Sequence, residues 1–467
     1  MKRFISPCLA LASVSIACVV AGASRPLYGG TLRVEVDAAL RTIDPIAPSS
    51  EGGEAAARAR VSSLAFETLT AVEPDGLRPL LATSWESEGG GLRWRFHLRG
   101  GVRLHDGSPI QPWQVAASLR ASGPWKAAAE GDTIAIDTDM PIADLPWALA
   151  DPRHAIVIRG SGGTLAGTGP FRFERLEGTR MSFRAHDAYW RARPFVDALQ
   201  VDTGRAVPSQ LTDIEAGRID IVTIRPTDVP RLARRGLRVE ASRPLELVAL
   251  VFEPHRATDG MLIWRRTLAS AFDRDAMCSV LLQGYGVPAR TVSPAWLSGY
   301  APFVALANRP TLSRSAVAAL PVEDRDVTLR VDAADTLSQS IAERIAADGR
   351  EAGFAVKVQA PVGLAPRSDV RLMRIALTST TPDRVFAHAS SLLATRGWPT
   401  IAAPEDATLP AVYRAEQSLL DRLIVVPVVH VPALVGLGER IGFSTVPAIR
   451  PLGGWNLADV FLRGGTP

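Results

Sequence analysis

The sequence predicts an α/β protein with at least two hydrophobic cores. Three observations carry that expectation. Segments of period-2 and helical hydrophobicity alternate through both halves of the chain. The 467 residues allow two to four packed units, at roughly 100–200 residues per domain. A chain that is 47% hydrophobic and 21% charged has the composition of a packed globular protein, not of a disordered polymer. A mean hydropathy of +0.10 with one short apolar run excludes a multi-span membrane protein. The 52 basic and 48 acidic residues nearly balance, and all but three of the basic ones are arginine. Arginine and acidic residues interleave throughout instead of forming a basic stripe, so a nucleic-acid partner is not expected.

The elements follow in chain order. Lys2 and Arg3 form a positive start, Leu9 to Val20 an apolar stretch of secretory length, and Ala21-Gly22-Ala23 a small-residue cleavage site, with Ser24 as the expected mature start. Ser15-Ile16-Ala17 is a poor match to the Leu-Ala-Gly pattern that precedes a lipidated cysteine, so Cys18 is read as part of the cleaved peptide. Cys8 leaves with it. Cys278 alone remains, which precludes an internal disulfide; an inert buried thiol and a reactive one are its two readings.

Leu92, Trp94, Phe96 and Leu98 alternate with Arg93, Arg95 and His97, a strand with one buried face. Gly100-Gly101 and His105-Asp106-Gly107 are turns, with both histidines read as exposed or turn residues. Ser209 to Glu215 is a short helix, with a strand from Ile219. Met261 to Met277 carries Trp264, Leu268, Ala271 and Phe272 at helical spacing, and Asp335 to Ala352 carries Leu337, Ile341 and Ile345 likewise, ending at Gly353. Phe354, Val356 and Val358 then alternate as a strand. Gly160-Ser161-Gly162-Gly163 lacks the Lys-Ser/Thr of a P-loop and the spacing of a nucleophile elbow, so it reads as a loop. No motif for catalysis stands out, and neither enzymatic activity nor a cofactor is expected.

Four groups of residues resemble, in register, the family 5 extracellular solute-binding proteins of ABC importers for dipeptides, oligopeptides and nickel chelates. The first comprises Phe66-Glu67-Thr68-Leu69, Pro79 to Glu86, and the block LRWRFHLRGGVRLHDGSPI from Leu92 to Ile110. The second is Gly167-Thr168-Gly169-Pro170-Phe171, Tyr189-Trp190 and Glu215 to Asp220. The third is Arg266 to Ala269, Phe272-Asp273-Arg274 and Gly284 to Pro288; the fourth runs from Ile341 to Val358. The resemblance implies a two-lobe periplasmic-binding-protein-like fold of type II, from the peptide-binding cluster, with a ligand cleft between the lobes. Lobe I would comprise 24–247 plus 431–467, and lobe II 248–430. Leu247 to Phe252 and Val425 to His430 would be the crossover strands. The implied protein is a periplasmic monomer that captures a small solute by hinge closure and hands it to an ABC permease of the inner membrane. A divergent member acting as a periplasmic sensor or interaction protein is the alternative. The implied solute is peptide-like, carboxylate-bearing or a metal chelate.

The chain departs from the family in two places. Only about a dozen residues separate Leu119 from Thr133 where many relatives carry several dozen. Peptide-binding members pair the peptide's amino terminus with an aspartate of lobe II, and Thr380 occupies that place here, with Asp383 nearby as a replacement. A buried ammonium needs an opposite charge, so a free peptide is disfavoured. Arg153 follows a proline where nickel-chelate-binding relatives place a carboxylate-gripping arginine, a task that suits the planar fork of a guanidinium. His388 lies where such relatives place a coordinating histidine, but one histidine is not a metal site. Trp125 and Trp398, in divergent stretches, are the candidates for stacking on a ligand, and Arg41 completes the candidate set. His430 is read as a structural histidine.

Overall fold

The computed structural model describes residues 28–463 except 49–51, 140, 143, 161–162, 257, 299–312, 334, 361–366, 378–380, 395–397, 399–407 and 443–447. The expected signal peptide lies outside the described residues. An 11-stranded sheet runs through the molecule. Ten of its strands, numbered within the sheet, are β1 (Thr31–Glu35), β2 (Phe171–Glu177), β3 (Arg180–Ala185), β4 (Ala198–Asp202), β5 (Ile221–Ile224), β6 (Arg238–Phe252), β7 (Asp326–Arg330), β8 (Ala355–Gln359), β9 (Val370–Ala376) and β10 (Val425–Leu437). Their spatial order is β2-β3-β4-β1-β5-β10-β6-β9-β7-β8, and Val287–Pro288 pairs with β10.

The long antiparallel pair β6 and β10 joins the two halves of the sheet. Arg238 to Ala241 pair with Leu434 to Leu437 beside β5, whereas Glu246 to Val251 pair with Val425 to Val431 beside β9. Between them the register shifts around Pro244, which stands opposite Pro432. Proline has no N–H to give the ladder, so two of them facing each other interrupt it. One hydrophobic core gathers Leu32, Val34, Phe171, Leu199, Val435 and, from the C-terminal segment, Trp455 and Leu457. Beyond the break, Val248, Leu250 and Phe252 face a second core with Trp264 and Ile341, while Leu247, Ala249 and Val251 face a further cluster with Phe386. Burial of both faces explains why this half of β6 is an unbroken apolar run. The polar, proline-bearing stretch before it gave no strand signal, and β6 and β10 are both longer than the expected crossovers.

Four helices position the site: α1 (Gly52–Ser62), α2 (Pro112–Ser122), α3 (Thr336–Ala352) and α4 (Pro382–Ala394). For α3, Asp335 accepts from the Ser338 N–H at the start and Gly353, with φ +106°, ends the helix, as its sequence predicts. The expected continuous helix from Met261 to Met277 is broken. It spans Leu262–Ala269, and then the Asp273 carboxylate accepts from the N–H groups of Asp275 and Ala276 and starts a new short turn. A local cap has overridden the helical hydrophobic spacing. A separate four-stranded sheet, containing Arg93–Leu98, packs with α2 around Trp94, Phe96 and Ile134.

His105 sits in its expected turn but is buried, not exposed: its Nδ1 accepts from the Gly167 N–H at 3.2 Å and its Nε2 lies 3.1 Å from the Gly169 carbonyl. His430 is buried with Nε2 3.0 Å from the Val292 carbonyl, the structural role expected of it. Burial pushes His105, His154 and His430 down to about 4, since a charged imidazole would lose its water. The unfolded chain, with ordinary histidines near 6.5, therefore takes up protons first as the pH falls. Stability is whole above that value and declines as the pH falls towards 4, by on the order of 3 kcal/mol per histidine. The urea midpoint should drop between pH 7.5 and 4.5, and a flat midpoint across that window would contradict the burial of neutral rings.

Candidate functional site

The site begins with a turn. Asp151, almost fully buried, caps the 3₁₀ turn Pro152–His154 by accepting from the Arg153 N–H at 2.9 Å. Pro152 supplies a preset φ at the first position of that turn. The same carboxylate receives the Arg153 guanidinium, with Nη2 at 3.2 Å and Nε at 3.4 Å. One edge of the guanidinium, Nε and Nη2, is thereby fixed on a side chain that stays half exposed. His154 turns inward, where its Nδ1 lies 3.1 Å from the Ser122 hydroxyl and its ring meets that of Trp125 edge-on at 4.6 Å. Trp125 donates from Nε1 to the Leu119 carbonyl at 2.9 Å. A Cβ on Gly123 would sit 2.3 Å from the Trp125 ring, so only glycine lets the ring fold back there.

Across from this wall lies α4. Val385, Phe386, Ala389 and Leu393 face the core beneath it. Arg384 and His388, four residues apart, share another face. The Arg384 guanidinium carbon lies 5.2 Å from the centre of the Trp125 ring, a cation–π contact between α4 and the segment after α2. Burial lowers the Arg384 pKa, and the Arg153 cation pushes the same way, while Asp383 and Asp151 oppose it. Burial also lowers the His388 pKa, again with help from Arg153. Among the described residues no acceptor lies within hydrogen-bond distance of the Arg384 guanidinium. Arg225, tied to Asp228, donates to the Thr336 hydroxyl at the start of α3, a second contact between distant segments.

The structure thus brings Arg153, Asp383, His388 and Trp125 together and separates the other candidates from them. Trp398 is a core residue: it is buried beside Leu393 and Val251, and its Nε1 donates to the Phe252 carbonyl at 3.0 Å, which leaves no face for a ligand. Trp125 is likewise buried, and Arg384 and His154 occupy its surroundings, so its ring holds a cation in place of an open stacking surface. Arg41 is exposed on the segment after β1, outside the cluster. Thr380 lies outside the described residues. Cys278 is buried, and burial pushes its thiol up to about 12, which makes it unreactive. No three His, Cys, Asp or Glu side chains group as metal ligands among the described residues. Sequence reasoning missed Arg384. Its signal was a cation in the first turn of a helix, at the end where the macrodipole disfavours it.

The comparisons agree with this architecture. The family model of bacterial extracellular solute-binding proteins, family 5 Middle, matches residues 76–391. The dipeptide-binding protein of Escherichia coli (strain K12) is 22% identical over 270 residues, covering 48% of this chain and 50% of its own. Another curated relative is matched over 26% of its length, so the chain spans half or less of these two relatives. Among solved structures, the ABC transporter substrate-binding protein CtaP from Listeria monocytogenes superposes with a TM-score of 0.77 at 15% identity, over 93% of this chain and 99% of that one. NikA from Brucella suis, in complex with Fe(III)-EDTA, gives a TM-score of 0.73 at 20% identity, over 93% of this chain and 100% of that one. At these identities the superpositions establish the two-lobe fold; the matched family model, over more than half of the sequence, establishes kinship. The chain belongs to the family 5 bacterial extracellular solute-binding proteins.

Proposed function

We propose that this chain is the periplasmic solute-binding component of an ABC importer, exported by the cleaved peptide 1–23. It captures a small carboxylate-bearing solute, free or as a metal chelate, between lobe I (24–247 plus 431–467) and lobe II (248–430). Closure is a hinge rotation at the proline-interrupted stretch of β6 and β10, after which the solute passes to a membrane permease. The observation that supports this most is Arg153: Asp151 holds its guanidinium, and its charge acts on His388 of α4. A solute closes such a cleft only by binding the closed form more tightly than the open one, which requires contacts from both lobes.

The test is to denature gently purified protein and identify the released small molecules by mass spectrometry. A carboxylate-bearing solute is the expected finding, and adding it back should compact the molecule in small-angle scattering and slow amide exchange along the cleft. Release of unmodified di- to pentapeptides only, or unchanged scattering with a tightly bound solute, would contradict the reading.

A further inference from the structure

We propose that Arg243 and Trp296 form the pin of the hinge: they fix the point at which β6 passes from one lobe to the other, and they hold the angle between the lobes. The inference rests on the hinge closure proposed above and names the residues that govern it.

The chain changes its attachments between Arg243 and Pro244. Up to Arg243 they belong to lobe I. The Ser242 hydroxyl accepts from the Ala433 N–H at 2.9 Å and donates to the Arg243 carbonyl at 2.6 Å. The Arg243 N–H donates to the Pro451 carbonyl at 3.2 Å. Its Nη2 donates at 2.7 Å to the Pro74 carbonyl, in the turn between the strands Thr70–Glu73 and Gly76–Pro79. From Pro244 onward the attachments belong to lobe II. The Leu245 carbonyl accepts from the Leu377 N–H, just past β9, at 2.8 Å. Pro244 and Pro432 stand opposite each other and neither has an N–H to give, so the Pro244 carbonyl must find its donor elsewhere. Trp296 supplies it through Nε1 at 2.9 Å. The segment that carries Trp296 is anchored in lobe II. The Ala289 N–H donates to the Val428 carbonyl at 3.1 Å, the Ser293 N–H to the Glu416 carboxylate at 3.1 Å, and Leu297 packs on the cluster around Phe386. The ring of Pro244 locks its φ, and a residue before proline is held to extended backbone, so the rotation left at this junction is a limited swing about the Arg243 ψ. A stacked contact spans that axis. The Arg243 guanidinium, tethered to lobe I, lies over the Trp296 ring of lobe II, 5.4 Å from its centre. A change of angle must slide or part the stack, while the indole N–H keeps Pro244 with lobe II.

The experiment reads distances between spin labels on Lys126→Cys in lobe I and Lys357→Cys in lobe II, both exposed positions, by pulsed electron paramagnetic resonance on the empty protein. Cys278 is buried and stays unlabelled. In this labelled background, Trp296→Phe keeps the ring but removes the donor to Pro244, and Arg243→Gln removes the stack and the tether to Pro74. Each should broaden the distance distribution, with a loss of no more than ~2–4 °C in melting temperature, the shift that one hydrogen bond is worth in a chain of this size. Arg231→Gln, which breaks an ion pair with Glu215 inside lobe I, should leave the distribution as it was. A double variant, Pro244→Ala with Pro432→Ala, returns two N–H groups to the ladder and should narrow it. An unchanged width in either Trp296→Phe or Arg243→Gln would overturn the pin. If the double proline variant still narrows the distribution, the hinge stands without the pin; if it does not, hinge and pin both fall. Broadening of the same size in Arg231→Gln, or melting temperatures that fall further and in step with the widths, would show general loosening and would also overturn the assignment.

Discussion

Arg153→Ala is expected to weaken binding of the copurifying solute by roughly 30-fold to several-thousand-fold, the loss of about 2–5 kcal/mol typical when one partner of a desolvated charge pair is removed. The melting temperature of the empty protein should barely move. Arg153 is half exposed before a solute arrives, and the buried Asp151 carboxylate keeps the backbone N–H of residue 153 as a donor when the guanidinium is removed. Once the cleft closes over a carboxylate, the same guanidinium is taken out of water and its contribution grows. Arg153→Lys should recover only part of the affinity, since an ammonium cannot reproduce the fork. Asp151→Asn retains an acceptor for the Arg153 N–H but weakens the grip on the guanidinium, and it should fall between the two. Titration calorimetry decides: wild-type affinity in Arg153→Ala would remove this residue from the site.

How legible the site was depended on which forces fix each part. Arg153 was readable because its surroundings are local: a buried aspartate, a proline and an inward histidine within four consecutive residues set its direction. The two lobes and their crossover strands were implied by the resemblance, and the strands themselves read as apolar runs because Leu247 to Phe252 and Val425 to His430 are buried on both faces and hold no polar side chain except the satisfied His430. The break between the lobes was not, because it is made by Pro244 and Pro432 meeting across a ladder, and pairing between residues so far apart in sequence leaves no local trace. Trp398 misled for a related reason. An aromatic residue in a divergent stretch reads equally well as a cleft wall or as core, and only tertiary packing chose the core. Arg384 went unnoticed among 52 basic residues, its meaning set by Trp125, far away in sequence.

Glu67→Ala should be the most damaging single change to stability within the four family-like groups of residues, costing on the order of 3–9 kcal/mol at ~1–3 kcal/mol for each of three donors left without its acceptor. The carboxylate is nearly fully buried and accepts three hydrogen bonds: Oε1 from the Tyr189 hydroxyl at 2.8 Å, and Oε2 from the Thr168 hydroxyl at 2.8 Å and from Trp190 Nε1 at 2.9 Å. These donors come from two of the three segments of the second resembling group, which explains physically why those residues accompany Phe66-Glu67-Thr68-Leu69. Burial, reinforced by the Glu67 charge, raises the Tyr189 pKa and keeps its hydroxyl a donor. Close backbone approach completes the junction: a Cβ on Gly167 would lie 2.2 Å from the Ala65 carbonyl oxygen. The Glu67 carbonyl also accepts from the Ile156 N–H at 2.7 Å, three residues beyond Arg153, so the same junction supports the turn that presents the site. Tyr189→Phe removes one donor and should cost only about 1 kcal/mol. The double variant should therefore be less damaged than the sum of the two, because the Tyr189→Phe ring has no hydroxyl to be left without its acceptor. Urea denaturation of the four proteins measures this, and additive losses, or a Glu67→Ala midpoint at the wild-type value, would show that the buried carboxylate does not hold the junction together.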